Sequence, residues 1–517
     1  MNITLGHDLL ESIGVSLNST TVYILLLIVV LNIYFFGSLQ VFKRKRYPSG
    51  PWGVPVFGHL PFFGQSPPQT FSKWREQFGD VFSIRLGSWK TVVVNGHDAI
   101  KEAADKPNDD FSGRPSFVTQ QLLSKLTGGQ SLAFGQFNHT YLHQRKLTSS
   151  ALRKFTNRSG DVTEEMIVGE ANDLVDSIVS KGSTTPQNIK PDIQYAVGSI
   201  IYQFLYGPGK HLDRQKQLKS MVESANKFIK FAGNGNPFDV MPWLRYVMPW
   251  KIDQFFAIMT ENDQMRHEQV KEHMETFSSD NIRDVTDAFI AAELDENEIG
   301  NSDSTYFSKL RLLSTLVDLQ GAGFDTTNKT LQWLIMYMAS YPEVQTRVQK
   351  EIDDVIGSEN DVTYKSHPQL VYTEATIHEV MRITAMIPFA LPKYTTRDTK
   401  LEGYDIDQDT VVFFNIHSVS HDKVFWGDPE NFRPSRFLTE DENQLDVTKC
   451  NRVIPFGVGR RRCVGEFLAK MEVFILFVTV MRRCMIMQPL GEVYDLDPVP
   501  GLVYSPTDFK VIVKERS

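Results

Sequence analysis

The chain has 517 residues, of which 41% are hydrophobic and 22% charged, with a net charge of −8. That length allows a large core, and the acidic balance argues against a nucleic-acid binder, which carries a basic face. Three cysteines, Cys450, Cys463 and Cys484, are too few for a disulfide framework and fit a reducing compartment.

Residues 1–21 contain Asp8 and Glu11 but no Lys or Arg. Residues 22–42 are apolar except for Asn32, Gly37, Ser38 and Gln40, and Lys43-Arg44-Lys45-Arg46 follow at once. At about 1.5 Å rise per residue the run covers a hydrocarbon core of roughly 30 Å. The positive-inside rule then places residues 1–21 in the lumen, 22–42 across the bilayer and the remainder in the cytosol. A cleaved signal peptide would carry its basic residues ahead of the apolar run and a small-residue site behind it, and neither is present. A buried core helix is the other reading of this stretch. Residues 43–70 read as a basic, proline-rich linker, because Pro48, Pro51 and Pro55 fix φ and lack an N–H.

Residues 71–517 read as one domain, mainly α with a minor β portion. The runs 81–86 and 91–94, parted by Gly87-Ser88-Trp89-Lys90, predict a hairpin. Apolar residues at three- and four-residue spacing predict helices over 310–339, 342–356, 370–384 and 465–481. Short strands are predicted between 391 and 414 and again near the C-terminus.

The densest signal is Pro455-Phe456-Gly457-Val458-Gly459-Arg460-Arg461-Arg462-Cys463-Val464-Gly465-Glu466. Two glycines allow a tight loop before the cysteine, and Gly465 opens a helix. A thiolate there gains from the helix dipole and backbone N–H groups, which lower its basicity. One thiolate without companions at chelate spacing is unsuited to zinc, but it suits haem, whose porphyrin supplies the equatorial ligands. A buried structural cysteine after a Gly-rich turn is the alternative that the loop alone leaves open.

Phe456-x-x-Gly459-x-Arg461-x-Cys463-x-Gly465 resembles the haem-binding signature of the cytochrome P450 superfamily, and three further motifs stand upstream in the family's order. Ala322-Gly323-Phe324-Asp325-Thr326-Thr327 resembles the oxygen-activating helix. Glu379-x-x-Arg382 and Phe432-Arg433-Pro434-Ser435-Arg436-Phe437 resemble a helix pair and the arginine that locks onto it. The resemblance implies the cytochrome P450 fold and a haem-thiolate monooxygenase with haem b on Cys463. It makes Thr326 and Asp325 catalytic, Thr326 helping to protonate dioxygen through water and Asp325 gating the protons. Glu379, Arg382 and Arg436 become a structural cluster.

For cofactor contacts it implies Arg145, Tyr141, Lys393, Phe456, Gly459, Arg461, Gly465 and Ala322. Tyr141 stands where the family usually has Trp, which puts the propionate geometry in doubt. Phe134, Phe228, Ala322, Ile387, Leu391, Leu502 and Val503 match pocket-lining positions and predict an apolar substrate.

Within the superfamily, Gly128–Phe134, Gly235–Asp239 and Thr395–Asp398 look like the aryl-hydrocarbon hydroxylases, and Phe111–Pro115 is shared with steroid 17-hydroxylases. The partners implied are an NADPH–cytochrome P450 reductase, cytochrome b5 and the lipid bilayer, with the chain in the endoplasmic reticulum membrane and no nucleic acid. Phe238, Met241, Pro242, Trp243 and Leu244 are candidates for a second membrane contact, core packing being the other reading. A haem-thiolate isomerase or ligand sensor is the alternative function, which Asp325-Thr326 argues against; a cysteine-nucleophile hydrolase would need a histidine beside Cys463.

Overall fold

The computed structural model describes residues 21–28, 46–106, 109–155, 160–208, 211–232, 235–298, 309–357 and 362–516. Residues 47–53 form no helix, as their prolines dictate. Strands β1 (Val81–Leu86) and β2 (Trp89–Val94) form the hairpin, with a shorter turn than the sequence suggests. Leu86 pairs with Trp89, so only Gly87 and Ser88 turn the chain, with Gly87 at φ 53°. A Cβ on Gly87 would stand 2.3 Å from the Val240 carbonyl oxygen, so both conformation and space demand glycine.

The helices that build the site are α1 (Val118–Thr127), α2 (His139–Arg153), α3 (Gly160–Ser180), α4 (Lys190–Tyr206), α5 (His211–Ala232), α6 (Lys309–Ser340), α7 (Pro342–Val355), α8 (Val371–Thr384) and α9 (Glu466–Arg483). The four helices predicted from apolar spacing are α6 to α9, their ends within one or two residues of those observed. Helix α6 is the axis of the molecule and packs on α4, α7, α8 and α9. From Thr327 to Ala339 it is buried on every side, with Leu334, Met336 and Met338 fully enclosed. A helix segment enclosed on every side belongs in the middle of a large core. Phe474 and Phe477 of α9 join it there, and α3 and α4 close the core from the other side.

The β portion is small. Strands β3 (Lys393–Tyr394), β4 (Thr399–Leu401), β5 (Tyr404–Ile406) and β6 (Val411–Phe414) precede β7 (Cys484–Met487) and β8 (Ile512–Glu515). The main sheet runs β1-β2-β6-β3, with β2 and β6 parallel, while β4 pairs with β5 and β7 with β8. This crossover seats Lys393 opposite Val412, against a second core of Val92, Val94, Ile100, Phe414 and Ile454.

Residues 21–28 are helical with exposed side chains, and the rest of the expected membrane span lies outside the described residues. Among the described residues, no helix is long and apolar enough to cross a membrane.

Candidate functional site

The loop that leads into α9 is shaped by two glycines, Gly457 at φ 69° and Gly459 at φ 73°. A Cβ on Gly459 would lie 2.6 Å from the Ala104 carbonyl oxygen, so no other residue fits. The Cys463 N–H donates to the Phe456 carbonyl at 2.9 Å, and Gly465 caps α9. Burial pushes the Cys463 thiol up from its usual value; the Gly465 N–H opposes this, Glu466 adds to it, and Arg145 and Arg462 pull it down. The lowered basicity expected from the helix dipole is therefore outweighed by desolvation in the free thiol. A cation on the sulfur would reverse that balance. None of these neighbours is a histidine. Cys463 is exposed on this loop.

Four cations gather beside this loop. Arg461 donates through Nε to the Ser112 carbonyl at 2.9 Å and through Nη2 to the Gly135 carbonyl at 2.8 Å, while its buried Nη1 has no partner. Its guanidinium lies 3.9 Å from the centre of the Tyr141 ring, which is buried on α2. Arg145, one turn on, donates to the Arg462 carbonyl and reaches the Tyr141 hydroxyl at 3.5 Å. The replacement of Trp by Tyr thus keeps an aromatic face under Arg461.

Arg114 and Lys393 complete the group. Arg114 is bound to the carbonyls of Ala133, Leu391 and Pro392, and burial pulls its guanidinium down to about 9, helped by Arg461. Burial likewise drives Lys393 well below its usual value, and Arg114, Arg461 and Arg145 add to the effect. Buried like charges of this kind hold a place for anions. Arg114 is the member that motif reading missed. Its signal was the lone charge inside Phe111–Pro115.

Helix α6 faces this region across the loop 131–135. Its half-buried Asp318 accepts from Ser131 Oγ at 2.9 Å and from the N–H groups of Leu132 and Ala133 at 2.5 and 3.1 Å. Gly135 on the same loop serves Arg461, so five residues bridge α6 and the cysteine loop. Gly321 and Ala322 are exposed here in the middle of the helix, so this face of α6 borders open space. Thr326 donates to the Ala322 carbonyl at 2.8 Å, and Asp325 is ion-paired to Lys329 at 3.0 Å.

Glu379, Arg382 and Arg436 meet in the interior. Arg382 grips Glu379 with two bonds of 2.7 and 3.0 Å, and Arg436 adds a third at 2.9 Å. The backbone carbonyls of Ser420, Trp426 and Asn431 take further guanidinium protons, so these charges are buried but satisfied.

The apolar candidates divide. Phe134 and Phe228 pack on one cluster with Val118, Leu122, Phe238 and Phe255. Ile387 shares a recess with Met386, Ile416, Val453 and Pro455 at the entry to the cysteine loop. The Leu391 and Val503 carbonyls accept from Arg114 and Lys329, whereas Leu502 is 47% exposed.

Against known proteins, the family model for cytochrome P450 matches residues 48–513. The chain belongs to the cytochrome P450 family. Cytochrome P450 1A1 of Mesocricetus auratus is 35% identical over 472 residues, 90% of this chain and 89% of that relative. The Homo sapiens 1A1 protein is 34% identical, covering 90% and 91%. Cytochrome P450 1A2 of Felis catus is 33% identical over the same shares.

As a P450 the chain is a monooxygenase that carries haem b on a cysteine thiolate and draws electrons from NADPH through a reductase. Its residues fit that group. One cysteine stands on a glycine loop, and buried cations with an unpartnered Arg461 Nη1 match a ligand bearing two carboxylates.

Proposed function

We propose that this P450 oxidises flat or rigid apolar molecules, arenes and steroids ahead of charged fatty acids, at the endoplasmic reticulum membrane. The observation that carries the reading is the pairing of charge around the apolar candidates. Asp318 is held by three donors and Asp325 by Lys329, while Phe134, Phe228, Ile387 and Val503 present apolar side chains. Burying such surface yields about 25 cal/mol per Å².

In this reading Cys463 holds the iron, and Arg114, Arg145, Lys393 and Arg461 bind the haem carboxylates beside Tyr141. Phe456, Gly459 and Gly465 shape the loop, and the small Ala322 would leave room for the haem beside α6. When bound, haem supplies oxygen activation, and the thiolate pushes electron density toward O–O cleavage. Thr326 and Asp325 hold and pass protons, while Glu379, Arg382 and Arg436 keep the scaffold rigid. The acid–alcohol pair weighs against an isomerase or a ligand sensor.

Residues 22–42 span the bilayer in this account, with cytochrome b5 as a second electron donor. Lipid also meets Trp243, Tyr246, Val247 and Trp250, all about half exposed or more, whereas Phe238 and Met241 are buried and do not take part. Spin-state titrations with an arene, a steroid and a long-chain fatty acid, followed by NADPH-dependent turnover with reductase, test the assignment. The arene or steroid should bind tightest and yield product; a fatty acid binding tightest would contradict it.

A further inference from the structure

Lys329 enters the reading above only as the charge beside Asp325, yet its ammonium joins two segments of the site. It lies four residues beyond Asp325 on α6, so both side chains share one helix face. Its Nζ donates to Asp325 Oδ2 at 3.0 Å and to the Val503 carbonyl at 3.0 Å. The Lys329 side chain is 8% exposed and that of Asp325 14%, so water screens the pair little.

The contact satisfies only half of the carboxylate. Asp325 Oδ1 is buried and has no hydrogen-bond partner. Burial pushes the Asp325 carboxyl up, and Lys329 is the charge that opposes the push. The other ionisable groups near this turn point elsewhere. Glu472 of α9 acts with the neighbouring Thr327, and Asp318 is bound to the loop 131–133. Thr326 and Thr330 donate to carbonyls one turn back.

We propose that Lys329 is a positioning residue for proton delivery. By pinning Oδ2 it keeps Asp325 ionised and leaves Oδ1 as the oxygen that receives and releases each proton. The proton that arrives on Oδ1 departs from Oδ1, and Lys329 keeps its own three. Through the Val503 carbonyl the same ammonium ties this geometry to the C-terminal loop beside the proposed pocket. The inference rests on the reading of Asp325 as a proton-delivery residue.

The test uses the full chain with haem, reductase and NADPH in a bilayer, with the carbon-monoxide thiolate band reporting folded enzyme. Lys329→Met removes charge and both bonds, Lys329→Gln keeps a donor for Val503 without charge, and Lys329→Arg keeps both. Product formed per NADPH should fall several-fold in the Met and Gln variants, with peroxide rising, and should recover in the Arg variant. The double variant Asp325→Asn/Lys329→Met should be no worse than Asp325→Asn alone.

Infrared difference spectra of each protein against its Asp325→Asn counterpart give a readout apart from turnover. A protonated carboxyl band at neutral pH is expected in Lys329→Met and not in the unsubstituted chain. Unchanged coupling and an unchanged spectrum in Lys329→Met would overturn the proposal, as would an Arg variant as poor as the Met variant. Should Lys329→Met fail to fold, the Gln and Arg variants carry the same comparison. Normal coupling in Asp325→Asn would instead remove the reading of Asp325 itself.

Discussion

The Thr326 hydroxyl spends its proton on its own helix, donating to the Ala322 carbonyl at 2.8 Å. Its oxygen keeps lone pairs that can accept from a water on the open side of α6, where Gly321 and Ala322 are exposed. Thr326→Ala removes that acceptor and leaves the helix intact. The expected outcome is normal haem and substrate binding with product per NADPH lowered about 10-fold or more, the electrons appearing as peroxide. Measuring product, peroxide and NADPH together checks this; unchanged coupling would take Thr326 out of the mechanism. Tyr141 makes a related point about what a residue is for. Its ring lies under Arg461, a contact on the order of 0.5–2 kcal/mol, so the aromatic face contributes beside the hydroxyl that reaches Arg145.

Helix α9 carries the loop cysteine's support at one end and a buried acid in its middle. Glu472 has a carboxylate oxygen without a hydrogen-bond partner, and burial pushes its carboxyl up to about 8, with the nearby Thr327 hydroxyl opposing only in part. An unfolded glutamate titrates near 4.5, so between about 4.5 and 8 the folded chain holds a proton that the unfolded chain has released. The stability that Glu472 contributes therefore falls as pH rises through that window and is level outside it. Chemical unfolding of the unsubstituted chain and of Glu472→Gln across this range should give a stability difference that declines toward high pH. A constant difference would mean that Glu472 is ionised in the folded state.

The same element shows what a sequence reveals and what it hides. Helices α6 to α9 were legible because apolar residues recur along them, Gly457 and Gly459 because a tight loop needs glycine, and Gly465 because it opens a helix. Trp89 was placed in the turn because its pairing with Leu86 depends on a two-residue turn, at which Gly87 lies against the distant Val240 carbonyl. Arg114, Asp318 and Lys329 were missed as site residues for one reason. Each has a partner more than 170 residues away: Leu391 for Arg114, Ser131 for Asp318 and, besides the nearby Asp325, Val503 for Lys329. Local spacing cannot supply such partners.

For the whole molecule, two kinds of membrane contact follow from the account. Removing residues 1–42 should delete the spanning segment, yet Trp243, Tyr246, Val247 and Trp250 should leave the shortened chain partly bound to lipid. Flotation with vesicles measures this, and complete solubility of the shortened chain would contradict the second contact.

Everything else depends on the sulfur at position 463. Cys450 is half-buried and Cys484 is buried at the end of α9, and burial pushes their thiols up to about 11 and about 12. Both lie outside the glycine loop. The ferrous carbon-monoxide spectrum of the three single Cys→Ser variants therefore tests the central claim most directly. The account predicts that Cys463→Ser loses the thiolate band while Cys450→Ser and Cys484→Ser keep it. A band that survives in Cys463→Ser, or disappears in either of the others with the fold intact, would contradict it.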